Sequence, residues 1–409
     1  MNFLEADFII TCDDNFKIYQ NHIIVFDKQI ISIDTKENIL KQYPNCNIQY
    51  QGKNSIIMPG LINSHIHLEF SANKTTLQYG NFVQWLYSVI KNREELIEKA
   101  TDELIENELK YMLQNGTTTI GAISSYGLDI NPAISTPINV VYFTEVLGSK
   151  AEMLDTLLLD FKSKLQTAIS HQKDNFIPAI AIHSPYSTHP FLIREVLNIA
   201  KEKNLPVSAH FAESKAENDW LNYSKGEFAE FFNNMLGQST SLTTPEQFLN
   251  QFKNIEHLSF THCVEANKNE LKKIKDLNAS IIHCPNSNRL LNNTILNLNY
   301  LDKINLAIGT DGLSSNHSLN LFDELRNALY MHTELQIDNL AKKLLLAATK
   351  GGAKALGLKK GILKSDYDAD IIVLNLPDKC TNVENLATSI ILHTPQPHKV
   401  YIKGQNELF

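Results

Sequence analysis

Two histidines one residue apart, His65 and His67, stand at the end of an apolar stretch that begins at Pro59. Side chains alternate between the two faces of an extended strand, so these imidazoles point to the same side and can bind one cation. Metal sites made of imidazole and carboxylate usually take three or more protein groups, and a catalytic site keeps one position open for water. The pair therefore predicts part of a metal site, and the remaining ligands must come from elsewhere in the chain.

The strongest candidates for the remaining ligands are His210 and Asp311, each at the end of an apolar β-type run. One histidine on a strand is more often a core or surface residue than a ligand, but three imidazoles and one carboxylate together suit zinc or ferrous iron. Asp311 is followed by Gly312, and an Asp-Gly pair at a strand end is also an ordinary turn. If Asp311 stands beside His65 and His67, it can both bind the cation and accept a proton from water.

Two further side chains have the chemistry for proton transfer. Glu213 follows His210 by three residues. It is either a helix-opening acid favoured by the helix dipole, or a carboxyl whose pKa is raised enough by burial to protonate a substrate ring nitrogen. His262, at the end of another β-type run, can hold the attacking hydroxide from the other side. Both roles require that the fold brings these residues beside the metal ligands.

Eight β-type runs separated by helical ones would position these residues. The alternation predicts an α/β fold with a (β/α)8 TIM-like barrel, in which the chemistry is carried out at the C-terminal ends of the strands. Closing such a barrel places the eighth strand beside the first, and so brings Asp311 to the paired histidines. The predicted strands are the run that ends at His65-Ile66-His67, then Thr117 to Ser124, Ile138 to Leu147, Phe176 to His183, Pro206 to His210, Leu258 to His262, Ala279 to Cys284, and Leu306 to Asp311.

The two ends of the chain differ in pattern from the middle. Residues 1 to 57 alternate short β-type runs with turns, and residues 358 to 409 do the same. We therefore predict a small β-sandwich domain built from residues 1–57 and 358–409, and a metal-dependent barrel domain over residues 58–357. Two unrelated β ornaments are the alternative. Residues 216 to 252, polar and aromatic without strand character, are expected to form a helical excursion over the barrel mouth.

Composition and charge restrict the class of partner. The 409-residue chain has a formal net charge of -8 and no Lys/Arg-rich block, which argues against nucleic acid and against an anionic membrane. The chain does not open on a basic region followed by a long apolar run, and its five cysteines form no close pairs. We therefore expect a cytoplasmic protein with reduced thiols and a small-molecule substrate. A homodimer is compatible with the sequence, which does not fix the oligomeric state.

At these motifs the chain resembles the amidohydrolase superfamily, and within it the adenosine-type nucleoside deaminases. The resemblance lies at the ends of five of the predicted strands and in a tail segment, so it spans nearly the whole chain. The matching segments are Pro59-Gly60-Leu61-Ile62-Asn63-Ser64-His65-Ile66-His67, His210-Phe211-Ala212-Glu213, Thr261-His262-Cys263, His283-Cys284-Pro285-Asn286-Ser287-Asn288, Gly309-Thr310-Asp311-Gly312 and Gly352-Ala353-Lys354-Ala355-Leu356-Gly357-Leu358.

The resemblance implies a hydrolase that removes the 6-amino group of an adenine nucleoside as ammonia and leaves a 6-oxo group. It implies that Glu213 protonates the ring nitrogen next to the reacting carbon, while His262 and Asp311 steer and shuttle protons. It also implies one divalent metal, Zn²⁺ or Fe²⁺, which activates the attacking water. The implied metal ligands are His65, His67, His210 and Asp311.

The sequence at the end of the fourth predicted strand indicates one metal ion rather than two. Superfamily hydrolases with two metals use a modified lysine there, whereas this strand ends in His183-Ser184-Pro185. By resemblance, His183 contacts the base or the ribose of the substrate. Glu94, within Arg93-Glu94-Glu95, would hold the ribose hydroxyls by the same resemblance, although this acidic run is also typical of a solvated helix face.

The helical segment from Phe82 to Glu94, together with His67-Leu68-Glu69, is similar to the aminodeoxyfutalosine deaminases of menaquinone biosynthesis. This similarity implies deamination of 6-amino-6-deoxyfutalosine to futalosine. The first alternative is an S-adenosylhomocysteine or 5'-methylthioadenosine deaminase. A non-catalytic relative that keeps the barrel as a binding module, and a hydrolase of cyclic amides, are the alternatives from other classes.

Overall fold

The computed structural model describes residues 1–408, and their strands form two separate sheets. The strands before the barrel are β1 (Asn2–Ile10), β2 (Ile18–Phe26), β3 (Ile30–Thr35), β4 (Gln49–Tyr50) and β5 (Ser55–Pro59). The barrel strands are β6 (Leu61–Ile66), β7 (Thr117–Ser124), β8 (Asn139–Val146), β9 (Phe176–Ile182), β10 (Val207–Phe211), β11 (Leu258–His262), β12 (Ser280–His283) and β13 (Asn305–Ile308). The last strands are β14 (Ile371–Asn375), β15 (Lys399–Ile402) and β16 (Gln405–Asn406).

The predicted (β/α)8 barrel is confirmed, with all eight predicted strands in sequence order. Strands β6 to β13 pair as neighbours in parallel along the chain. At the C-terminal end of the barrel, the Asp311 N–H donates a hydrogen bond to the His65 carbonyl at 3.0 Å. This bond connects β6, the first barrel strand, to the loop after β13, the last barrel strand. Gly309 permits this approach, because a Cβ there would lie 2.8 Å from the Cβ of His65. The eighth strand ends at Ile308, earlier than predicted, so Asp311 lies in the loop that follows it.

Helices surround the barrel and extend its loops. In the described part of the chain, no helix is long and apolar enough to cross a membrane. The helices are α1 (Lys36–Gln42), α2 (Phe82–Lys91), α3 (Arg93–Lys99), α4 (Asp102–Gln114), α5 (Ile130–Ser135), α6 (Leu154–Ser170), α7 (Pro190–Lys203), α8 (Lys215–Tyr223), α9 (Glu227–Leu236), α10 (Pro245–Asn250), α11 (Lys268–Asp276), α12 (Pro285–Asn292), α13 (Leu321–Met331), α14 (Ile337–Leu346), α15 (Gly352–Ala355) and α16 (Leu386–His393).

The two ends of the chain combine into one sheet, as expected from their shared pattern. Its strand order is β16-β15-β14-β5-β1-β2-β3, with β4 paired to β1. Alternate residues of these strands build a core of the sheet's own, whereas their neighbours, such as Ile56 and Ile372, join the barrel core. Strand β5 crosses the predicted boundary after residue 57 and pairs with both β1 and β14. The domain limits themselves stay a prediction.

Long connections after β6 and β10 build the mouth of the barrel. The connection after β10 holds α8, α9 and α10, in the segment predicted to be a helical excursion. Helices α2, α8 and α9 pack together through an aromatic cluster that includes Phe82, Trp220, Phe228 and Phe232. The Trp85 indole N–H donates to the Ser314 carbonyl at 2.9 Å and fastens α2 to the loop that carries Asp311.

Candidate active site

Four predicted metal ligands meet at the C-terminal end of the barrel. Nε2 of His210 lies 3.2 Å from Nε2 of His65 and 3.4 Å from Nε2 of His67. Oδ1 of Asp311 lies 3.7 Å from Nε2 of His65 and 3.6 Å from Nε2 of His67. Ligand atoms about a cation with bonds of roughly 2.0–2.2 Å are separated by such distances, so His65, His67 and Asp311 lie close enough to share one ion, and His210 lies beside both histidines.

The protonation of these imidazoles also fits a cation. Nδ1 of His210 donates to the His183 carbonyl at 2.6 Å, so its Nε2 carries a lone pair. Burial, followed by the neighbouring imidazoles, holds the pKa of His65 well below its usual range. Burial likewise lowers the pKa of His67 to about 3. Neutral imidazoles whose nitrogens face one another at these distances have the chemistry of a divalent metal site.

Asp311 is held in place by its own loop and by helix α12. Ser287 and Ser315 donate from Oγ to Oδ2 of Asp311 at 2.7 and 2.9 Å, and the Gly312 N–H donates to Oδ1 at 2.9 Å. Its backbone takes the left-handed conformation, with φ of 59°. Burial acts to raise the pKa of Asp311, but the surrounding histidines outweigh it and keep that pKa below its usual value. The carboxylate form that a ligand requires is therefore favoured.

Glu213 lies beside this cluster in a closed environment. Its Oε1 is 3.4 Å from Nε2 of His262, and only 6% of the residue is exposed. Burial, then the negative charges of Asp311 and Glu217, raise the pKa of Glu213 well above its usual value. The pKa of Glu213 is therefore shifted in the direction that a proton donor requires.

Glu217 shapes the turn that carries Glu213, a role that the sequence did not suggest. Its carboxylate accepts the backbone N–H groups of Ala212 and Glu213 at 3.0 and 2.8 Å. The Ser214 hydroxyl, in turn, accepts the N–H of Glu217 at 3.1 Å and caps helix α8. The helix-opening role considered for Glu213 thus falls to Ser214 and Glu217. The spacing Ser214-x-x-Glu217 is the sequence signal that would have revealed it.

A chain of hydrogen bonds leads from His262 to the surface. Nδ1 of His262 donates to Oδ1 of Asn288 at 2.8 Å, and Nδ2 of Asn288 donates to Nδ1 of His283 at 3.3 Å. Nε2 of His283 then donates to Nε2 of His332 at 3.0 Å, and Nδ1 of His332 donates to Glu334 at 3.2 Å. Each residue in this series donates a hydrogen bond from one side-chain nitrogen to the next residue, so the series of hydrogen bonds fixes the tautomer of His262. Its Nε2 is left as an acceptor that faces Glu213.

A cavity of about 520 Å³ opens from this cluster toward the mouth of the barrel. Its inner end includes His67, His183, His210, Glu213 and Asp311. Most of its wall is apolar and comes from α2, α9 and the segment after β8, including Trp85, Leu86, Val89, Leu147, Phe231 and Phe232. A large apolar pocket with a few convergent polar groups is typical of a small-molecule site.

The two predicted substrate-binding residues differ in position. His183 lines the cavity, and its Nδ1 lies 2.6 Å from Oγ of Ser187. Glu94 is exposed in the first turn of α3 and does not line the cavity, although its neighbour Arg93 does. The predicted ribose contact of Glu94 therefore has no geometric support, since its neighbour rather than Glu94 itself faces the cavity.

Comparison with known proteins agrees with this architecture. The family model described as the amidohydrolase family matches residues 56–406. The chain is 46% identical over 391 residues to an aminodeoxyfutalosine deaminase of Nitratiruptor sp., covering 96% of each chain. It superimposes on Helicobacter pylori aminofutalosine deaminase, solved in complex with methylthio-coformycin, with a TM-score of 0.94, 33% identity and complete coverage of both chains.

A more distant structure shares the fold. An adenosine deaminase from Xanthomonas campestris with bound zinc superimposes with a TM-score of 0.81 at 20% identity, covering 99% of this chain and 92% of that one. The family match covers most of the chain, and the trio His65, His67 and Asp311, whose ligand atoms lie close enough to hold a metal ion, fits the metal dependence of that family. The chain belongs to the amidohydrolase family, and it is a metal-dependent hydrolase of the deaminase type.

Proposed function

We propose that the chain deaminates an adenine nucleoside, replacing the 6-amino group with a 6-oxo group and releasing ammonia. The observation that carries this proposal is the position of Glu213, a buried carboxyl with a raised pKa that lies beside the candidate metal ligands at the inner end of the cavity. A neutral acid at this position can protonate a ring nitrogen at the moment when water attacks the adjacent carbon.

We assign His65, His67, His210 and Asp311 as the ligands of one divalent cation, Zn²⁺ or Fe²⁺. Bound there, the cation would lower the pKa of water and supply the nucleophile at neutral pH. A single ion is supported by the fourth barrel strand, because β9 contains no lysine and Nδ1 of His183, which follows it, is engaged with Ser187.

The chain's own residues account for the protons of the reaction. Asp311 accepts one proton from the attacking water, and Glu213 gives its proton to the ring nitrogen next to the attacked carbon. His262, with its Nε2 free to accept, orients the attacking oxygen from the side of Glu213. Asp311 then passes its proton to the departing amino group, which leaves as ammonia, and Glu213 recovers a proton from the new hydroxyl. The product keeps the proton on its ring nitrogen and carries a 6-oxo group.

For the substrate, we propose 6-amino-6-deoxyfutalosine, with futalosine as the product in menaquinone biosynthesis. The carboxylates that line the cavity are buried, whereas its exposed charged residues are the cations Arg93 and Lys150. The Arg93 guanidinium lies 5.0 Å from the centre of the Tyr126 ring. An apolar cavity with cations at its outer part suits a nucleoside that ends in an aromatic carboxylate. The ammonium group of S-adenosylhomocysteine would meet no exposed carboxylate among these lining residues.

The reaction is tested with purified, metal-loaded protein and adenine nucleosides. Release of ammonia together with a 6-oxo product would support the proposal, whereas a ring-opened product without ammonia would contradict it. Stoichiometric zinc or iron in protein purified without added metal would support the ligand assignment. The homodimer and the cytoplasmic location stay predictions, to be tested by sedimentation and by fractionation.

A further inference from the structure

The series of hydrogen bonds that begins at His262 ends at an exposed carboxylate. His332 directly follows α13 and is 1% exposed, whereas Glu334, two residues later, is exposed to solvent. Nδ1 of His332 lies 3.2 Å from Oε1 of Glu334. A carboxylate accepts hydrogen bonds and donates none, so Nδ1 of His332 is the donor of this pair. Burial lowers the pKa of His332, which favours the neutral imidazole and leaves its Nε2 as an acceptor.

This outer pair determines the direction of the next three hydrogen bonds. Because Nε2 of His332 accepts, Nε2 of His283 must donate to it at 3.0 Å. Nδ1 of His283 is then an acceptor, and it takes the side-chain NH2 of Asn288 at 3.3 Å. The amide oxygen of Asn288 therefore faces His262 and accepts from its Nδ1 at 2.8 Å. Nε2 of His262 is left without a proton.

The opposite direction would give the opposite tautomer at the reacting centre. If Nε2 of His332 carried a proton, Nε2 of His283 would have to accept and its Nδ1 would have to donate. The amide of Asn288 would then turn over and present its NH2 to Nδ1 of His262. Nε2 of His262 would carry the proton and would face Oε1 of Glu213, 3.4 Å away, as a donor. The side chains of the series thus allow two arrangements, and the outer pair decides between them.

Water has little access to the inner part of the series. His262, Asn288, His283 and His332 are each at most 1% exposed. A water molecule both donates and accepts hydrogen bonds, so a solvated link would not preserve a direction. Burial also holds the pKa of His283 well below its usual range, so this link stays neutral and carries one N–H. The direction set at Glu334 therefore extends to His262.

We propose that His332, held by Glu334, is a positioning residue that sets the tautomer of His262 through His283 and Asn288. This inference deepens the proposed function and rests on it, in that His262 is taken to accept a hydrogen bond from the attacking water. An acceptor at Nε2 can hold the O–H of that water, whereas a protonated Nε2 cannot. Loss of a residue that orients a functional imidazole typically costs about 10- to 100-fold in activity.

The test measures the tautomer of His262 and the steady-state rate constants in the same variants. NMR of zinc-loaded protein labelled with ¹⁵N-histidine reports which ring nitrogen carries the proton, and the signals missing from His262→Gln assign this residue. We expect the proton on Nδ1 of His262 in the parent, and a shift toward Nε2 in both His332→Phe and Glu334→Ala. In His332→Phe, kcat should fall about 10- to 100-fold while KM stays within about twofold. Glu334→Ala replaces an exposed side chain, so the test does not depend on the folding of His332→Phe.

Two further variants separate the direction of the hydrogen bonds from packing. His332→Gln can accept from His283 through its amide oxygen and donate to Glu334 through its NH2, so we expect it to keep the parent tautomer and most of the activity. Glu256→Ala is the matched control for Glu334→Ala. Glu256 is an exposed glutamate 4.0 Å from Nε2 of His257, a histidine outside the series, so its loss should change neither the tautomer nor kcat.

The tautomer is measured without substrate, so this result is separate from the deaminase assignment. A proton on Nε2 of His262 in the parent, or the parent tautomer in a folded His332→Phe or Glu334→Ala, would overturn the inference. Equal losses of kcat in His332→Gln and His332→Phe would indicate a structural role and would also overturn it. If the parent releases no ammonia but the tautomer shifts as expected, the proposed function fails and the positioning role of His332 stands.

Discussion

At the scale of single residues, the site separates two carboxyl groups by their surroundings. Asp311 is surrounded by imidazoles, which lower its pKa, whereas Glu213 is buried near other carboxylates, which raise its pKa. The surroundings thus shift the pKa values of two carboxyl groups in one site in opposite directions. This separation assigns the ligand and base role to Asp311 and the acid role to Glu213.

The substitution Glu213→Gln tests the acid role. Glutamine keeps the size of the side chain but has no acidic proton, so we expect kcat to fall by about 10²- to 10⁴-fold. Metal content should stay at the parent level, because Glu213 is not among the four ligands. His65→Ala is the contrasting variant, and we expect it to lose metal affinity together with activity. Parent-level turnover in Glu213→Gln would remove the proton-donor assignment.

The raised pKa of Glu213 also predicts the pH dependence of the reaction. The acid must be protonated to donate, so kcat/KM should stay level through neutral pH and fall as the pH rises through the pKa of Glu213. An unperturbed glutamate, with a pKa of about 4.3, would already be ionised at neutral pH. Steady-state rates from pH 5 to pH 10 measure this, and rates that already fall from pH 5 upward would contradict the raised pKa.

At the scale of elements, one buried glutamate organises a loop of the cavity wall. Glu69, just after β6, accepts the backbone N–H groups of Ser125, Tyr126 and Leu128 at 2.7 to 3.1 Å. These hydrogen bonds connect the loop after β7 to the segment that follows β6, the first barrel strand. The same loop carries Tyr126, and the Arg93 guanidinium lies over the ring of that tyrosine. Glu69 thus acts through the loop rather than through direct contact with a nucleoside.

Glu69→Gln is expected to loosen this loop. The amide NH2 of glutamine would face backbone N–H groups, so we expect a loss of about 2–3 kcal/mol in the free energy of unfolding. KM for a nucleoside with an anionic end should rise more than kcat falls, because Tyr126 and Arg93 line the cavity but take no part in the proposed proton transfers. Urea denaturation and steady-state kinetics measure both effects, with exposed Glu103→Gln as the control. Unchanged stability would show that the loop does not depend on this carboxylate.

The sequence predicted the elements better than it predicted the supporting contacts. The eight barrel strands and the histidines at their ends could be read locally, because β-type runs and strand-end residues are properties of short segments. The role of Glu217 could have been found from the local spacing Ser214-x-x-Glu217, but the role of Glu69 could not, because its partners are set by the fold. Glu69 pairs with N–H groups 56 to 59 residues away along the chain. A carboxylate that binds such distant backbone groups leaves no pattern in residue types.

At the scale of the whole molecule, a buried ion pair in the C-terminal segment supports a hydrogen bond that links the terminal sheet to the barrel. Nζ of Lys360 lies 2.8 Å from Oδ2 of Asp370, and both side chains are almost fully buried. The same Asp370 oxygen accepts Nδ2 of Asn139, on barrel strand β8, at 3.0 Å. The contact connects residues far apart in sequence and links the sheet to the barrel.

Replacing Lys360 tests this connection. Lys360→Met leaves the Asp370 carboxylate buried without its cation, so we expect a loss of about 3–5 kcal/mol in the free energy of unfolding. Chemical denaturation measures the loss, and Lys354→Met, at an exposed lysine of α15, is the control. The metal ligands lie at the opposite end of the barrel strands from Asn139, so metal content of the folded variant should match the parent. Equal stability of the two variants would show that the junction does not depend on this pair.

The central claim concerns which nucleoside enters the cavity, and one competition assay tests it most directly. Metal-loaded enzyme is incubated with equal concentrations of 6-amino-6-deoxyfutalosine, S-adenosylhomocysteine, 5'-methylthioadenosine and adenosine, and the four 6-oxo products are separated by chromatography. The ratios of initial product formation give the ratios of kcat/KM. We expect futalosine to form first, by about tenfold or more over the others, because of the apolar wall and the cations Arg93 and Lys150. Faster conversion of either thioether nucleoside would contradict this account.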